Sequence, residues 1–436
     1  MSLVVTIDRI GEYDGKEATI GAWVTKLRSS GKLKFIILRD GTGIIQAVMS
    51  KSHVGEEIFS RFDKLALEAS VKVTGTVKAE SRAPGGYEIF LSDLEVVGES
   101  NEYPITPKDP GEEDHGEDFL LNRRHLWVRR QDQVNILKVR HSVIRAIRDY
   151  LDTRDFICFD SPIFTPNACE GTSTLFTVDY FGASAFLSQS GQLYQEAGAM
   201  AMNRVYCFGP AFRAEKSKTR RHLTEFWMVE PEVAWMDFEG VMDLMEDFTV
   251  EVVGRVIEER KEELKQLGRD ISPLEKVQKP FPRIQYSDAV KQLIALGQPF
   301  EEGNDFGSPD ETLLTKQYDR PIFVHRFPQE VKAFYMKRDP LDARWALGAD
   351  LLAPEGYGEI IGGGQREDSY DVLVERIKHH ELPMEPFEWY LDLRRYGSVP
   401  HSGFGIGVER TTTWICGIHH VRETIPFPRT IYRINP

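Results

Sequence analysis

The sequence predicts an α+β protein in two parts, a small closed β-barrel followed by a larger domain in which helices alternate with strands. Residues 1–100 contain five short strand-like runs separated by turn residues. Residues 101–120 are rich in proline, glycine and acidic side chains, and this composition predicts a linker. In residues 121–436, long amphipathic helices alternate with apolar strand runs, so we expect a single α+β domain there.

The barrel is predicted from the number and spacing of its strands. These strands are Glu17–Val24, Lys34–Arg39, Gly43–Val48, Val71–Lys78 and Tyr87–Val97. A helical patch near residues 56–67 separates the third strand from the fourth. Five strands with one helix are typical of the oligonucleotide-binding barrel.

Composition excludes several classes of protein. The chain has 436 residues, of which 41% are hydrophobic and 28% charged, so it is long enough for two or three domains and does not resemble a disordered protein. No apolar run is long enough to span a bilayer, and the N-terminus lacks the pattern of a secretory signal. Four scattered cysteines without metal-ligand spacing indicate reduced thiols. We therefore expect a cytoplasmic protein with no membrane partner.

The net charge of −14 argues against a protein that coats nucleic acid generally, but a local surface can still bind phosphates. Phe35 and Gln46 lie on adjacent predicted barrel strands, and Arg28 lies just before the turn that precedes the strand of Phe35. An aromatic ring offers a face on which an unpaired base stacks, and an amide can bond the edge of that base. A position in the barrel core explains Phe35 equally well, since most strand phenylalanines face inward.

Two apolar runs, Val205–Phe212 and Phe226–Val233, predict a pair of strands joined by a charged loop. Arg213 and Glu215 follow the first run and share one face, because side chains alternate along a strand. A cation and a carboxylate held side by side suit a zwitterionic or phosphate-bearing ligand. Taken alone, a surface hairpin with an ion pair explains the pattern equally well.

A second pattern that indicates a ligand-binding site lies near the C-terminus. Gly405 and Gly407 alternate on a predicted strand, and Arg410 begins the helical segment that follows. Glycines at alternate strand positions allow a ligand or another strand to approach the backbone closely. A tightly packed corner between strand and helix would produce the same pattern.

Together these segments resemble motifs 2 and 3 of the class II aminoacyl-tRNA synthetases, and residues 160–166 resemble motif 1. The three motifs stand in the family's order, and the resemblance covers nearly the whole chain. It is strongest to the asparaginyl type of the aspartyl, asparaginyl and lysyl subgroup. The family's fold is an anticodon-binding barrel followed by a catalytic domain on a largely antiparallel sheet flanked by helices. Its motif 1 proline, here Pro162, packs in a dimer interface, so the resemblance implies a homodimer.

The resemblance implies ATP-dependent ligation of L-asparagine to tRNA through an adenylate. That reaction depends on holding the reactants together and neutralising phosphate charge, more than on proton transfer. The implied catalytic residues are Arg213, Glu359 and Arg410. The implied ATP site consists of Arg213, Glu215, His222, Phe226, Glu359 and Arg410.

Magnesium is the implied cofactor, and it prefers carboxylate and phosphate oxygens. Glu359 matches the family's metal-bridging glutamate, and Asp350 is a second candidate ligand. Aspartyl relatives carry a serine where this chain has Gly362, so that metal contact is missing here. Lys332, nearby in the sequence, is expected to form a surface ion pair.

The implied amino-acid site consists of Glu170, Ser190, Gln192, Gln195, Glu225 and Arg366. Glu170 and Gln192 match the positions that hold the substrate ammonium, and residues 170–173 form a candidate lid. Arg366 matches the arginine that binds the side-chain oxygen. Aspartyl enzymes typically place a lysine where this chain has Gln195, and Glu225 is a candidate acceptor for an amide NH2. Both differences favour asparagine over aspartate.

On the barrel, the resemblance implies that Phe35 stacks on the middle anticodon base and that Gln46 contacts this base. Arg28 and Glu80 complete the implied anticodon site. For an asparaginyl enzyme the anticodon is GUU.

Three other interpretations stay open. The first is an aspartyl-tRNA synthetase, including one that charges both its cognate and a non-cognate tRNA, which a lysine at position 195 would have favoured. The second is a paralogue that makes free asparagine on the same catalytic fold, which would lack the barrel. The third is a tRNA-binding protein with a decayed active site, against which the intact Arg213, Glu359 and Arg410 argue.

Overall fold

The computed structural model describes residues 4–106, 115–170 and 174–436. The chain divides into two compact units, Met1–Trp127 and Val128–Pro436. Part of the predicted linker, residues 107–114, and most of the candidate lid, residues 171–173, lie outside the described residues. Within the described ranges, no helix is both long and apolar enough to cross a membrane.

The first unit contains the predicted five-stranded barrel. Its strands are β1 (Glu17–Ser30), β2 (Leu33–Arg39), β3 (Ile44–Ser50), β4 (Ser70–Ala79) and β5 (Tyr87–Gly98). They close in the order β1-β2-β3-β5-β4, with β3 and β5 parallel and the other pairs antiparallel. The helices of this unit are α1 (Lys51–Arg61), α2 (Glu117–Leu121) and α3 (Arg124–Trp127).

Strand β1 is longer than the sequence predicted. It continues past Val24 to Ser30, because residues 26–30 still pair with β2 after an irregularity in register. Those residues are mostly polar and outward-facing, so they lack the buried apolar side chains by which the strand was predicted.

The second unit is larger and mixes strands with helices. Its strands are β6 (Ile157–Cys158), β7 (Phe164–Thr165), β8 (Thr177–Tyr180), β9 (Ala183–Leu187), β10 (Arg204–Phe212), β11 (Glu225–Ala234), β12 (Arg283–Gln285), β13 (Ile322–His325), β14 (Arg338–Asp339), β15 (Asp342–Ala346), β16 (Gly348–Ala353), β17 (Gly358–Gln365) and β18 (His401–Gly407). Its helices are α4 (Gln131–Asp152), α5 (Gln192–Met202), α6 (Phe238–Gln266), α7 (Ser272–Glu275), α8 (Tyr286–Ala295), α9 (Ser308–Thr315), α10 (Tyr370–His379), α11 (Glu388–Arg395) and α12 (Val408–Cys416).

An eight-stranded sheet organises this unit, in the order β12-β13-β16-β17-β18-β11-β10-β6. The pairs at the two edges are parallel, and the inner pairs are antiparallel. Val143 of α4 and Phe248 of α6 belong to the same buried cluster as Phe404 of β18, so these helices cover one face of the sheet. The predicted α+β class, with a largely antiparallel sheet flanked by helices, is confirmed.

Candidate functional site

The central strands of the sheet turn one face toward the helices and the other toward a cleft. On β11, Val229 and Val233 are buried in the cluster with α4 and α6, whereas Met228 and Glu230 line the cleft. This division follows from the two-residue period of a strand. On the neighbouring β18, a Cβ added to Gly405 would lie 2.5 Å from Met228 Cε. The glycine therefore makes room for a side chain of the adjacent strand.

A polar cavity of about 430 Å³ occupies this cleft. It joins a smaller, less polar pocket, because Arg213, His222 and Arg410 line both. The predicted site residues that line one or both are Glu170, Ser190, Gln192, Arg213, His222, Phe226, Asp350, Glu359, Arg366 and Arg410. One cleft thus collects most of the residues that the sequence assigned to ATP and the amino acid.

Arg213 follows β10 and lies where the two pockets meet. Its guanidinium carbon is 5.5 Å from the centroid of the Phe226 ring. Burial lowers the pKa of Arg213, but nearby carboxylates, led by Glu170 and Glu215, outweigh this effect and leave its pKa above the usual value. Its Nε is buried and has no hydrogen-bond partner among the described residues. An anionic ligand in the cavity would satisfy that donor, which is costly to leave unpaired.

The charged loop between β10 and β11 is held at two points. Nε2 of His222 lies 3.3 Å from Oε2 of Glu215, and the hydrogen bond from His222 lowers the pKa of Glu215 despite partial burial. Arg221 anchors the loop to α9, donating from Nη2 to Oγ1 of Thr312 at 2.6 Å. Glu215 does not line either pocket, whereas its partner His222 lines both. Any influence of Glu215 on a ligand there is therefore exerted through His222.

Carboxylates and cations alternate along the β16 and β17 side of the cavity. Arg410 Nη1 donates to Glu359 Oε2 at 2.7 Å, and Lys332 Nζ donates to Asp350 Oδ2 at 2.7 Å. Burial raises the pKa of Asp350 to about 7 against the opposing effect of Lys332, and Glu359 makes a smaller contribution in the same direction as burial. Burial and repulsion from Glu359 likewise raise the pKa of Glu311 to about 7. Carboxylates that repel one another in this way are stabilised by a divalent cation.

The donor set fits magnesium. Asp350 lies opposite Gly362 across the β16–β17 pair. A Cβ on Gly362 would lie 2.7 Å from Oε1 of Glu359 and 3.6 Å from Oδ1 of Asp350, so the glycine leaves a gap bordered by both carboxylates. Among the described residues, no group of three or more His, Cys, Asp and Glu side chains is arranged to hold a metal ion. Magnesium needs no such group, since it usually takes one or two carboxylates and completes its shell with phosphate oxygens and water.

Another part of the cavity is lined by Arg366 and Glu230. Arg366 forms a buried two-point ion pair with Glu232, from Nε to Oε1 at 3.0 Å and from Nη2 to Oε2 at 2.9 Å. Glu230 accepts hydrogen bonds from the Ser190 hydroxyl and, at 2.8 Å, from the Gly191 N–H. The cavity therefore presents a guanidinium donor and a carboxylate acceptor to a ligand side chain.

On the barrel, Phe35 points away from the core. Its neighbours Ile36 and Leu38 in β2 are fully buried, whereas Phe35 is only partly buried. Phe35 pairs with Arg28 of β1, whose guanidinium carbon lies 4.5 Å from the centroid of the ring. The outer face of the barrel thus carries an aromatic ring beside a cation, as a stacking surface for an unpaired base requires.

The two other residues predicted for the anticodon already have partners in the barrel. Gln46 donates from Nε2 to Oε1 of Glu88 at 2.6 Å, on the same outer face. Glu80 accepts from the backbone N–H of Arg82 at 3.1 Å within the turn before β5. The bond to Glu88 fixes the amide of Gln46, so its carbonyl oxygen is the atom left to meet a base.

Comparison with known proteins shows which family the chain belongs to. A family model described as "tRNA synthetases class II (D, K and N)" matches residues 116–431. The chain belongs to this family. A second family model, an OB-fold nucleic acid binding domain, matches residues 18–97. The predicted aminoacyl-tRNA ligase activity and the predicted barrel type are thereby confirmed.

Individual class II synthetases resemble the chain over its full length. The asparagine–tRNA ligases of Koribacter versatilis and Desulforamulus reducens are 56% identical over 442 residues and 54% identical over 430 residues, with 99% of this chain and of each relative covered. Asparaginyl-tRNA synthetase from Pyrococcus horikoshii, solved with asparaginyl-adenylate, is 46% identical with a TM-score of 0.96 and 100% of both chains covered. A putative aspartyl-tRNA synthetase from Leishmania major is 26% identical with a TM-score of 0.87, covering 100% of this chain and 95% of the other.

Two residues predicted to select the amino acid do not line the cavity of this synthetase. The Gln195 amide donates to the Phe159 carbonyl at 2.6 Å and to Ser161 Oγ at 2.9 Å, in a buried layer outside the cavity lining. Glu225 adjoins Phe226 on β11 and therefore lies on the opposite side of the strand, where its backbone pairs with Arg429. The predicted direct contacts of Gln195 and Glu225 with the amino acid are corrected accordingly.

The cavity-lining residues that sequence reasoning missed include Glu230, Tyr335 and Lys332. Glu230 lies an even number of residues after Phe226, so strand alternation was a signal that could have placed it there. Tyr335 donates to Glu170 Oε1 at 2.8 Å, a contact that no local pattern marks. Lys332, expected in a surface ion pair, instead forms a largely buried one with a candidate metal ligand.

Proposed function

We propose that the chain is an asparagine–tRNA ligase, which activates L-asparagine with ATP and transfers it to tRNA. The observation that carries this assignment is that Glu230 and Arg366 line the same cavity. The carboxamide of asparagine needs both a donor and an acceptor: its oxygen accepts from Arg366, and its NH2 donates to Glu230. Aspartate would bring a second carboxylate against Glu230 and is disfavoured by charge repulsion. The full-length likeness to asparagine–tRNA ligases supports the same assignment.

Adenylation joins the two halves of the cavity. A carboxylate oxygen of asparagine attacks the α-phosphorus of ATP as the bond to pyrophosphate breaks. Arg213 bridges the two reacting groups, and its buried Nε, which lacks a partner among the described residues, is available for this contact. Phe226 supports the adenine ring, while His222 and Arg410 face the terminal phosphates. Charge neutralisation by these fixed cations, with the reactants held in line, supplies the rate enhancement.

We assign Mg²⁺ as the cofactor, held by Glu359 and Asp350. When bound with ATP, this ion would supply positive charge that neutralises the phosphates of the substrate. The protein's own part is to hold the carboxylates in place: Arg410 fixes Glu359, and Lys332 fixes Asp350. Gly362 keeps the space beside both carboxylates open.

In the second step, a hydroxyl of the 3′-terminal ribose of tRNA attacks the adenylate carbonyl, and AMP leaves. We assign tRNA selection to the outer face of the barrel, where Phe35 stacks on the middle base of a GUU anticodon. Arg28 lies over the Phe35 ring, Gln46 contacts the same base, and Glu80 completes the anticodon site. Stacking supplies affinity, while the amide supplies discrimination between bases.

We further propose that the synthetase acts as a homodimer. Pro162 and its neighbours Ile163 and Phe164 are exposed, and Phe181 on the adjacent β8–β9 turn is 95% exposed. Strand β6, just before them in the chain, is one of the two edge strands of the large sheet. An apolar surface beside an open strand edge is the arrangement that a second copy would cover.

Asparagine-dependent and aspartate-dependent ATP–pyrophosphate exchange, measured without tRNA, tests the assignment. We expect strong exchange with asparagine and little with aspartate. Exchange mainly with aspartate would leave the adenylation site intact but overturn the role given to Glu230. Exchange with neither amino acid would overturn the proposed function itself.

A further inference from the structure

A fully buried carboxylate lies directly behind the cavity-lining Gln192. Glu196 follows Gln192 by one helical turn on α5, and its side chain is 0% exposed. It accepts hydrogen bonds from Gln192 Nε2 at 3.2 Å, Tyr390 OH at 2.8 Å, Arg394 Nη2 at 2.6 Å and His401 Nε2 at 2.9 Å. Tyr390 and Arg394 are themselves one turn apart on α11, so two helices each direct a pair of side chains into this cluster.

The charge on Glu196 is fixed by its surroundings. Burial by itself raises the pKa of a carboxyl group, but Arg394 and His401 outweigh that effect and hold the pKa of Glu196 well below its usual range. The His401 ring supports this charge state, since its Nδ1 lies 2.8 Å from the Val399 carbonyl and its Nε2 faces the carboxylate. Both ring nitrogens thus face oxygens that accept hydrogen bonds.

An ionised carboxylate accepts hydrogen bonds and donates none. The amide of Gln192 must therefore turn its NH2 toward Glu196. The reverse orientation would press the amide oxygen against a buried carboxylate with no proton between them, which is strongly unfavourable. The amide oxygen is consequently the atom of Gln192 left for other partners, and no described residue donates to it.

We propose that Glu196 is a positioning residue for the amino-acid site, orienting the Gln192 amide so that its oxygen receives the α-ammonium group of the substrate. Gln192 lines the cavity, whereas Glu196 does not, so Glu196 acts through Gln192. An oxygen held in this orientation favours a ligand that donates at this point and disfavours one that lacks the amino group. The inference rests on the proposed function and adds to it the origin of selectivity for an α-amino acid.

The test is a double-mutant cycle of Glu196→Gln and Gln192→Leu, read by asparagine-dependent ATP–pyrophosphate exchange. Succinamic acid, which is asparagine without its amino group, serves as the competing probe. A glutamine at position 196 both donates and accepts, so it releases the amide of Gln192 from one orientation. We expect Glu196→Gln to raise KM for asparagine about tenfold with little change in kcat, and to leave the inhibition constant of succinamic acid unchanged. In the Gln192→Leu background, the same substitution should have no further effect.

Two results would overturn the proposal: equal effects of Glu196→Gln in both backgrounds, or a parallel loss of affinity for asparagine and succinamic acid. Either would assign Glu196 to packing alone. If Glu196→Gln fails to fold because Arg394 loses its partner, the combination of Glu196→Gln with Arg394→Met takes its place. The effect of this combination is then compared with and without Gln192→Leu. Absence of asparagine-dependent exchange in the unmodified protein would instead overturn the proposed function.

Discussion

Arg410 shows how one side chain serves two purposes at the cavity. It is a permanent cation that faces the space assigned to ATP, and it also fixes the carboxylate of Glu359. Arginine suits both purposes, because its planar guanidinium can bond a carboxylate along one edge and a phosphate along another. Its removal therefore affects phosphate binding and metal binding together.

Replacing Arg410 by alanine is expected to lower asparagine-dependent ATP–pyrophosphate exchange by about 100-fold or more, as the loss of a charge-stabilising donor does in other active sites. Binding of tRNA to the barrel should be nearly unchanged. The matched control is Arg395→Ala, since Arg395 is an exposed arginine of α11 that pairs with Asp392. Exchange at the wild-type rate in the Arg410 variant would remove this residue from the site.

Glu230 and Glu225 lie on the same strand, but only Glu230 lines the cavity. We expect Glu230→Gln to lower the ratio of asparagine-dependent to aspartate-dependent exchange about tenfold or more, because the carboxylate that repels aspartate is lost. Glu225→Gln, the matched control, should leave the ratio unchanged. The opposite pattern would restore the interpretation drawn from the sequence and refute the one drawn from the structure.

At the scale of single elements, β2 separates a binding face from a core face. Phe35→Ala is expected to raise KM for tRNA about tenfold and to spare amino-acid-dependent exchange, since stacking on an aromatic ring is worth ~1–3 kcal/mol per base. Ile36→Ala, one residue along on the buried face, should instead destabilise the barrel by ~2–5 kcal/mol. Comparable destabilisation by both substitutions would show that Phe35 is a core residue.

Strand β13 contains a histidine that the fold keeps neutral. Burial, assisted by the adjacent Arg326, lowers the pKa of His325 to about 4. Nη1 of Arg326 lies 3.0 Å from Nδ1 of His325, which must then act as the acceptor. The folded pKa is below the unfolded value of about 6.5, so the unfolded chain binds the proton first as the pH falls. This group's contribution to stability is complete above pH ~6.5 and declines between pH ~6.5 and ~4.

We therefore expect His325→Gln to reduce the loss of unfolding free energy between pH 7 and pH 5, as measured by urea denaturation. His379→Gln is the control, because His379 is exposed and pairs with Glu330 at the surface. An equal pH dependence in His325→Gln and the unmodified protein would show that His325 does not contribute to acid sensitivity.

At the scale of the whole molecule, we expect the exposed apolar surface near motif 1 to hold two copies of the chain together. Phe181→Asp places a charge at the centre of the exposed apolar surface near motif 1, and burying that charge in an interface is unfavourable. We expect light scattering to show a monomer for this variant and a dimer for the unmodified protein. Leu341→Asp is the matched control, since Leu341 is 92% exposed elsewhere on the same unit. A dimer that survives Phe181→Asp would place the interface away from this surface.

The sequence by itself determined many of the elements and ten of the residues that line the two pockets. The barrel strands and the helices α4, α6 and α10 follow from hydrophobic periodicity, which depends on neighbours within a few positions. Arg213, Glu359 and Arg410 followed from their places in segments that resemble the family's motifs. The outward position of Phe35 was left open by the sequence, and the burial of its neighbours Ile36 and Leu38 in the structure decided it.

Only the tertiary structure decided which polar side chains face the cavity and which support it. Gln195 bonds to Phe159 and Ser161, outside the cavity lining, although its place in the motif suggested contact with the substrate. Glu196 meets Tyr390 and His401 across separations of 194 and 205 residues, and no local pattern contains such partners. The physical reason is that hydrogen bonds and desolvation depend on distances in space, which the chain sets only when distant strands and helices pack together.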